Sequence, residues 1–396
     1  MKITDIRMMR LRGPLVHGQG GATSEMIAKV IVRVDTDAGI YGLGEIDDFM
    51  GVREALAYMK QYFMGRDAFE ANPIVSELLY ASLPPHHAAA RHGDMPGDIR
   101  AVPTSSPTAT PWGPVVWAAS GVEMALCDAV GKALGTPVYN LLGGKFRDRV
   151  RIYLDRSSPL HVSEPDSWRK MASAAVEAGF TQIKFDIDHV AADCTQDVWN
   201  RSLPLGQINR IAERLGLVRE TVGADFELCV DCHMHYNAAD AIRLALELAP
   251  LKLLWLEDPS PIAICVGEMF TAEQFRIFID HGACDIVHPD VMFAGGLHET
   301  RRIADYAELN HLAMAMHGNG GALAAIAAAH VAAASRCFLG LEYHFIETPW
   351  IGAFARRDIP LFEEGCIRLT DAPGLGVELD LDVCRRYLAP GERGWE

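Results

Sequence analysis

The chain has 396 residues, of which 49% are hydrophobic and 22% charged, and its formal net charge is −16 at pH 7. This composition is that of a folded globular protein and excludes a mainly disordered, collagen-like or coiled-coil chain. The length suggests two domains, or one large barrel with an accessory domain. Nucleic acids and anionic membranes repel such an acidic protein, so we expect neither as a partner. A small anionic substrate remains compatible with this charge, because a bound metal reverses its sign locally.

The nine cysteines are spread singly along the chain, apart from the pair Cys229-x-x-Cys232. No second pair completes a zinc site, so we expect reduced thiols in a cytoplasmic protein. The N-terminus lacks the uninterrupted apolar core of a signal peptide. The longest apolar run, 322–334, has 13 residues, whereas a membrane span needs about 20. These features predict a cytoplasmic protein that does not cross a membrane.

The first third of the chain contains short strands, helices and two irregular segments. We predict strands at 3–11, 26–35 and 39–44, and helices near 52–64 and 116–134. The irregular segments are a glycine-rich stretch at 14–25 and a stretch rich in Pro, Gly, Ser, Thr and Ala at 84–112. Long irregular loops in compact proteins are usually functional or disordered, and we expect these two to set substrate specificity.

From about residue 147 the pattern changes to an alternation of short apolar runs with amphipathic helices. Such alternation implies a parallel sheet whose strands are joined by helical crossovers. The predicted strands are 150–154, 182–185, 227–230, 252–256, 262–266, 286–287, 313–315 and 337–341. Eight strands over about 200 residues favour an α/β fold of the (β/α)₈ TIM-barrel type over an open doubly wound sheet. No dinucleotide or phosphate-loop glycine motif follows a strand in the required context.

Ionisable residues follow nearly every predicted strand, immediately after its apolar run. They are Lys184, Asp186, Asp231, His233, Glu257, Glu268, Asp290, His317, Glu342 and His344. A single carboxylate in such a place more often caps the next helix than takes part in chemistry. Ionisable residues at seven successive strand ends are hard to explain as helix caps, because crowded like charges repel one another unless a cation lies among them. Barrel active sites lie at the C-terminal ends of the strands, so we expect these residues to form one site.

Three carboxylates on adjacent strand ends, Asp231, Glu257 and Glu268, form the expected metal site. Carboxylate oxygens suit Mg²⁺ and leave positions for water and substrate, whereas zinc favours histidine and cysteine ligands. The alternative is His233-x-His235, which is similar to the metal pair of amidohydrolase barrels. In those barrels the pair ends the first strand, whereas here it follows the third, and this difference favours magnesium on the carboxylates.

Several motifs together resemble the enolase superfamily, specifically its mandelate racemase-like branch. They are Glu257-Asp258-Pro259, Gly267-Glu268, Pro289-Asp290 with Gly295-Gly296-Leu297, and Pro373-Gly374-Leu375-Gly376-Val377. The resemblance covers nearly the whole chain. It implies a catalytic barrel at 120–365 and an α+β capping domain, which is formed by residues 1–119 together with a C-terminal segment at 366–396.

One spacing departs from this resemblance. Glu257 and Glu268 are 11 residues apart, whereas the other strand ends that we compared are separated by one whole β/α unit. A crossover between parallel strands needs a dozen or more residues. We therefore expect that about 15 residues, including a helix, are deleted here or missing from this sequence.

The resemblance also implies the roles of the site residues. Members of this superfamily remove a proton α to a carboxylate and stabilise the enediolate on Mg²⁺. His317 corresponds to the base, oriented by Asp290, and its imidazole should therefore be neutral near pH 7. Glu342 resembles the electrophile that hydrogen-bonds the substrate carboxylate. His233 resembles the general acid of the acid-sugar dehydratases, and Lys184 a charge partner of the substrate carboxylate.

One base and one acid suit β-elimination of water. Racemases of this family carry a second lysine base where this chain has Asp186, which disfavours a two-base racemase. We therefore expect dehydration of an aldonate or similar small anionic sugar acid to a 2-keto-3-deoxy acid, by an enzyme that forms a homo-oligomer as its family often does.

Three other functions stay open. They are a racemase, epimerase or cycloisomerase of the same superfamily, an amidohydrolase-like hydrolase, and a non-catalytic binding or scaffold protein on this fold. His17, Asp47, Asp48 and Arg156 are candidates to contact substrate hydroxyls, although such loop residues more often face solvent.

Overall fold

The computed structural model of the protein describes residues 1–15, 26–79, 112–156, 164–188, 199–257 and 262–395. Most of the two expected irregular segments, and His17 with them, lie outside the described residues. The described residues form a three-stranded antiparallel sheet, the helices that pack on it, and a closed barrel. Among them, no helix is long and apolar enough to cross a membrane.

The N-terminal sheet consists of β1 (Ile3–Pro14), β2 (Met26–Thr36) and β3 (Tyr41–Asp47), in that order. Buried apolar residues recur along β1 between exposed or half-buried charged ones, as expected of a strand with one covered face. Two helices, α1 (Val52–Phe63) and α2 (Ala71–Leu79), follow this sheet. Each helix buries one apolar stripe, so the sheet and helices share a core.

Helix α3 (Pro114–Leu134) packs directly on β3. A Cβ atom on Gly42 would lie 1.8 Å from the carbonyl oxygen of Ala125, and one on Gly44 would lie 2.1 Å from that of Gly121. Glycine at these two positions of β3 therefore permits the close approach of the helix. The expected domain boundary at 119/120 falls within this helix, and the division into domains stays a prediction.

The C-terminal segment contacts the first strand. The N–H of Ala389 donates to the carbonyl oxygen of Arg10 at 2.9 Å, and the N–H of Arg12 donates to that of Tyr387 at 2.7 Å. Helix α12 (Leu381–Arg386) precedes this contact, and Asp380 caps it by accepting backbone hydrogen bonds. The end of the chain thus lies against β1 of the N-terminal sheet.

Eight parallel strands form the barrel, and the last pairs with the first, so the sheet is closed. The strands are β4 (Arg149–Arg156), β5 (Gln182–Asp186), β6 (Glu227–Asp231), β7 (Trp255–Glu257), β8 (Ile264–Val266), β9 (Ile286–Val287), β10 (Ala313–Met316) and β11 (Phe338–Tyr343). A further short strand, Cys366–Arg368, pairs with β4 from outside in the antiparallel direction. Together with the N-terminal sheet, this barrel confirms the expected fold class.

Helices join most neighbouring strands of the barrel. They are α5 (Pro165–Glu177), α6 (Leu205–Val222), α7 (Ala238–Leu248), α8 (Ala272–Asp280), α9 (Leu297–Leu309) and α10 (Ala322–Ala334), and two shorter helices are α4 (Val138–Leu141) and α11 (Pro349–Ala353). Between β7 and β8 only residues 258–263 are present, and 258–261 lie outside the described part. The two strands nevertheless pair in parallel, with Glu257 opposite Cys265. The six residues 258–263 are too few for a crossover helix like the one that joins each other pair of consecutive barrel strands.

The centre of the barrel is filled by side chains. Its interior cluster consists of Tyr153, Cys229, Trp255, Cys265, Ile286 and Ala315. Layers of inward-facing residues from successive strands make such a barrel a packed core rather than a pore. The eight cysteines of the described residues are free thiols, and six of them are buried.

Candidate active site

Charged side chains from different strands converge at the C-terminal end of the barrel. Because all eight strands are parallel, the ends of their apolar runs meet at one mouth. The buried members are Asp155, Lys184, Asp186, Asp231, Glu257, His288, Asp290, His317, Glu342 and His344. Glu268 is 31% exposed. The structure therefore brings the residues expected from the sequence to one end of the barrel.

Lys184 lies among four carboxylates. Its Nζ is 2.9 Å from Glu342, 3.2 Å from Asp155, 3.2 Å from Glu257 and 3.4 Å from Asp231. Burial lowers the pKa of Lys184, but these carboxylates outweigh it and raise the pKa well above the ordinary lysine value. Lys184 is therefore a permanent positive charge, held at the ends of strands β4, β5, β6, β7 and β11.

Sequence reasoning missed Asp155 as a member of this cluster. Asp155 lies near the end of β4, directly after the predicted strand 150–154, so it carries the same pattern as the residues that were identified. Its side chain is 2% exposed, and among the described residues its buried Oδ1 has no hydrogen-bond partner. Burial raises the pKa of Asp155 to about 6, although Lys184 opposes this increase.

The three expected metal ligands lie at or just after the ends of three neighbouring strands, β6, β7 and β8. Asp231 lies opposite Glu257 in the β6–β7 register, and both contact Lys184. Glu268 lies beside His317, with Oε2 of the carboxylate 3.4 Å from Nε2 of the ring. Two other groups of three residues at the described part of the mouth have potential ligand atoms that all lie within 4.8 Å of one another. These are Asp186, Asp231 and His233, and His317, Glu342 and His344.

The charge balance of the mouth fits a divalent cation. Burial raises the pKa of Glu257 to about 7, and the negative charge of Asp231 adds to this effect. Within the described residues, Oδ1 of Asp186 is buried without a hydrogen-bond partner, and burial followed by the charge of Asp155 raises the pKa of Asp186 well above the usual range. A bound cation reduces such repulsion among buried carboxylates. Mg²⁺ is the typical hard cation that binds oxygen ligands.

His317 and Asp290 form a hydrogen-bonded pair. Nδ1 of His317 is 2.7 Å from Oδ2 of Asp290, and the other carboxylate oxygen accepts the N–H of Met292 at 2.7 Å. Asp290 is thus held from both sides, and it fixes the orientation of the ring. Sequence reasoning expected a neutral imidazole near pH 7. Burial does lower the pKa of His317, but Glu342, Glu268 and Asp290 raise it to about 9, so the ring carries a proton at pH 7 in this charge environment.

His233 lies between two carboxylates on the other side of the mouth. Its Nδ1 is 3.3 Å from Asp188, and its Nε2 is 3.3 Å from Asp231. The backbone has a φ of 45°, and its N–H donates to Oδ1 of Asp231 at 2.7 Å. Burial lowers the pKa of His233, but Asp188, Asp231 and Asp186 raise it to about 12. The imidazole is therefore protonated in this charge environment.

His235 does not point to a metal pair with His233. Nδ1 of His235 lies 3.2 Å from Oδ2 of Asp188, the same carboxylate oxygen that contacts His233. The two rings therefore converge on one carboxylate oxygen instead of on a common metal position. This geometry gives no support to the amidohydrolase-like alternative.

Glu342 is surrounded by hydrogen-bond donors. His344 lies 3.0 Å from Oε1, while His288 lies 3.2 Å and the hydroxyl of Tyr153 lies 3.0 Å from Oε2. Burial would raise the pKa of Glu342, but Lys184 and His317 hold it well below the usual range. Sequence reasoning gave no role to His288 and His344, although both stand at strand ends beside residues that it selected.

The N-terminal sheet contributes side chains to the barrel mouth. Nζ of the buried Lys29 is 2.5 Å from Oδ1 of Asp47 and 2.5 Å from the carbonyl oxygen of Asn319. Glu45 accepts the backbone N–H groups of Leu323 and Ala324, both at 3.1 Å, and therefore caps α10. The loop after His317 is thus held by residues of β2 and β3.

Three of the residues that were candidates to contact substrate hydroxyls each bind another side chain of the protein. Asp47 binds Lys29, Nε of Arg10 donates to Asp48 at 2.6 Å, and Arg156 pairs with Glu347 at 2.8 Å. Arg156 is 6% exposed, and its Nε is buried without a hydrogen-bond partner among the described residues. Arg156 is therefore the best placed of the three to donate to a ligand.

Comparison with known proteins places these residues in a family. The enolase C-terminal domain-like family model matches residues 167–383, and the mandelate racemase/muconate lactonizing enzyme N-terminal domain model matches residues 6–143. A D-xylonate dehydratase of Haloferax volcanii is 34% identical over 383 residues, which cover 92% of this chain and 86% of the relative. A D-galactonate dehydratase family member of Oceanicola granulosus is 28% identical over 438 residues, which cover 98% and 95%.

Solved structures agree with this assignment. A mandelate racemase/muconate lactonizing enzyme-like protein from Rubrobacter xylanophilus superposes with a TM-score of 0.85 at 31% identity, covering 100% of this chain and 99% of that protein. These matches confirm the resemblance inferred from the motifs and identify the protein as an enzyme of the enolase superfamily. The chain belongs to the mandelate racemase/muconate lactonizing enzyme family.

Proposed function

We propose that the protein is a magnesium-dependent dehydratase, which removes water from a small sugar acid and forms a 2-keto-3-deoxy acid. The observation that carries this proposal is the position of two histidines, His317 and His233, on opposite sides of the mouth. His317 follows β10 and His233 follows β6, and these strands are four positions apart in the closed eight-stranded barrel. The names of relatives support the reaction class, since they include D-xylonate and D-mannonate dehydratases.

Asp231, Glu257 and Glu268 would hold the Mg²⁺. The bound ion would stabilise the negative charge that develops on the substrate carboxylate as the α-proton leaves. Lys184 contacts two of these three carboxylates and would face the same substrate group as a second positive charge. The surplus of buried carboxylates around Lys184 supports a cation at this place.

His317 would remove the α-proton with Nε2, because Asp290 holds Nδ1. Its pKa of about 9 is raised by Glu342, Glu268 and Asp290. A cation bound to Glu268 would cancel part of this negative potential and lower the pKa, so that the ring could accept a proton near neutral pH. The metal and the base would in this way be coupled through Glu268.

His233 would donate a proton to the departing hydroxyl group. The ring starts as a cation because Asp188 and Asp231 flank it. Elimination needs a proton acceptor at the α-carbon and a proton donor at the β-hydroxyl, and two groups on opposite sides of the mouth meet this need.

Asp186 supports elimination over racemisation. A two-base racemase needs a proton acceptor on each face of the substrate, and in this family the second acceptor is a lysine at this position. This chain has the carboxyl group of Asp186 there instead, and burial and the charge of Asp155 raise its pKa well above its usual range.

A screen of sugar acids tests the proposal. The purified enzyme is incubated with five- and six-carbon aldonates and Mg²⁺, and 2-keto-3-deoxy acids are detected by a 2-keto-acid assay and mass spectrometry. We expect loss of one water from at least one aldonate, dependent on Mg²⁺. Inversion at the α-carbon without water loss would replace the proposal by a racemase or epimerase. No turnover together with no stabilisation by Mg²⁺ would favour a binding or scaffold protein.

The cellular setting is part of the same proposal. We expect a cytoplasmic enzyme, and the free thiols of the described cysteines support a reducing compartment. We also expect a homo-oligomer, which light scattering of the native protein would test.

A further inference from the structure

Three metal-binding side chains meet outside the barrel mouth, between helices α3 and α9. Glu123 and Cys127 lie one turn apart on α3, and His298 lies in the first turn of α9. Sγ of Cys127 is 3.3 Å from Oε1 of Glu123 and 3.6 Å from Nδ1 of His298. The same carboxylate oxygen lies 2.5 Å from Nδ1 of His298.

We propose that Glu123, Cys127 and His298 form a second metal site, which takes Zn²⁺ or a similar borderline-soft ion instead of Mg²⁺. Thiolate and imidazole ligands select zinc, cobalt and cadmium, whereas magnesium prefers oxygen ligands and keeps several waters. The proposed site therefore differs in ion preference from the all-carboxylate site of the mouth.

The donor spacing fits a tetrahedral ion. With metal–ligand bonds of about 2.0–2.3 Å, tetrahedral angles place neighbouring donor atoms about 3.3–3.6 Å apart. Two of the three observed separations, 3.3 and 3.6 Å, already have these values. Only the pair Glu123–His298, at 2.5 Å, must open by about 0.8 Å, which a small rotation of the partly exposed imidazole provides.

The charge of the site also permits a divalent ion. Burial and Glu123 raise the pKa of the Cys127 thiol well above its usual value, and Glu123 raises the pKa of His298 against the effect of burial. A bound ion takes these ligands as a thiolate and a neutral imidazole, so its binding displaces the protons that the two side chains carry and thereby offsets the charge that the ion brings.

Backbone contacts hold the carboxylate ready for the ion. Oε2 of Glu123 accepts the N–H of Leu297 at 2.6 Å, which directs Oε1 toward Cys127 and His298. Gly296 has a φ of 94°, and a Cβ atom there would lie 2.2 Å from Oε2 of Glu123. Such outer hydrogen bonds orient a ligand before the ion arrives. The side chain of His298 is 29% exposed, so an ion has a path from solvent and a fourth position remains for water.

The site would join two parts of the fold. Helix α3 packs on the N-terminal sheet, whereas α9 follows the strand that precedes Asp290. An ion bound by both helices would stabilise the folded state, and its contribution would be separate from catalysis at the mouth.

Cobalt spectroscopy tests this proposal without reference to turnover. Co²⁺ is titrated into the whole protein in excess Mg²⁺, which occupies the oxygen site. We expect one equivalent of tetrahedral Co²⁺ with a thiolate-to-cobalt charge-transfer band, and its binding should release protons from the ligands. Zn²⁺ should then displace the Co²⁺ without further release of protons. Cys127→Ser should abolish this band, and the conservative variant His298→Gln should weaken Co²⁺ binding by at least about 10-fold.

Cys366→Ser is the matched control, because this half-buried thiol lies on the short strand Cys366–Arg368 and not on α3 or α9, so the band should stay unchanged. Absence of a thiolate band in the wild-type protein would overturn the proposal. Survival of the band in both Cys127→Ser and His298→Gln would overturn it as well, by assigning the ion to other residues. Since His298 is partly exposed, His298→Gln keeps the test valid if Cys127→Ser does not fold.

Discussion

His233 and His317 follow strands that lie four positions apart in a closed eight-stranded barrel, so the two imidazoles stand on opposite sides of its mouth. Asp188 and Asp231 flank the first ring, and Asp290 holds the second. Because each ring has its own carboxylate partners, the two can carry different protonation roles in one reaction. Their substitution should therefore cause two different defects.

His317→Asn should abolish both dehydration and the exchange of the α-proton with solvent deuterium. The asparagine side chain cannot accept a proton, and general-base help is typically worth about 10²–10⁴-fold in rate. The measurement is proton NMR of the substrate in D₂O with Mg²⁺, alongside the 2-keto-acid assay. His281→Asn, at an exposed position, is the matched control and should behave as the wild type. Undiminished deuterium exchange in His317→Asn would assign the base to another residue.

His233→Asn should slow dehydration by about 10²–10⁴-fold while exchange of the α-proton continues. Proton removal needs only the base and the metal, whereas departure of the hydroxyl group needs the acid. The same two assays separate these steps in one sample. A full dehydration rate in this variant would remove the main support for a dehydratase and would favour the racemase or cycloisomerase alternatives.

Glu257→Gln should weaken Mg²⁺ binding by at least about tenfold and abolish turnover. A neutral amide neither offsets the charge of the cation nor donates electron density as strongly as a carboxylate. Isothermal titration calorimetry with MgCl₂ measures this change, and Glu247→Gln, on the exposed face of α7, is the control. Equal magnesium affinity in the wild type and in Glu257→Gln would exclude Glu257 as a ligand.

His330 should make the protein sensitive to mild acid. The ring is 1% exposed, accepts the N–H of Tyr139 at 3.1 Å and lies 3.3 Å from the carbonyl oxygen of Leu375. These contacts use the neutral ring, and burial lowers its pKa to about 4. Between about pH 6.5 and 4 the unfolded chain binds a proton that the folded protein does not, so stability falls as the pH falls, by about 3 kcal/mol in total.

Urea unfolding at several pH values measures this contribution. His330→Gln should flatten the loss of stability between about pH 6.5 and 4, whereas the exposed control His281→Gln should keep the wild-type slope. The same slope in wild type and His330→Gln would show that other groups cause the acid sensitivity.

Glu45→Ala should lower both stability and turnover. Glu45 caps α10 from the N-terminal sheet, and its removal leaves buried N–H groups without an acceptor, at a cost of about 1–3 kcal/mol. The loop between His317 and this helix would also lose its support, so kcat should fall. Urea unfolding and initial rates provide the two measurements, with Glu54→Ala on the exposed side of α1 as control. Wild-type stability in Glu45→Ala would show that the cap is dispensable.

The sequence alone was sufficient to predict the barrel fold and to select most of the residues at its mouth. Alternating apolar runs and amphipathic helices depend on local periodicity, and parallel strands necessarily bring their C-terminal ends together. For this reason Lys184, Asp231 and His317 could be selected without knowledge of distances. The short connection after Glu257 was also visible as a spacing that no crossover helix fits.

Only the tertiary structure decided which charges touch. The four carboxylates around Lys184 come from four different strands, and their effect on its pKa depends on distances that no local pattern encodes. The protonation of His317 likewise differs from the sequence-based expectation, because Glu268 and Glu342 reach it from other strands. The cluster of Glu123 with His298 joins residues 175 positions apart. Such contacts follow from the packing of helices against each other, whereas local sequence determines only where each helix begins and which face it buries.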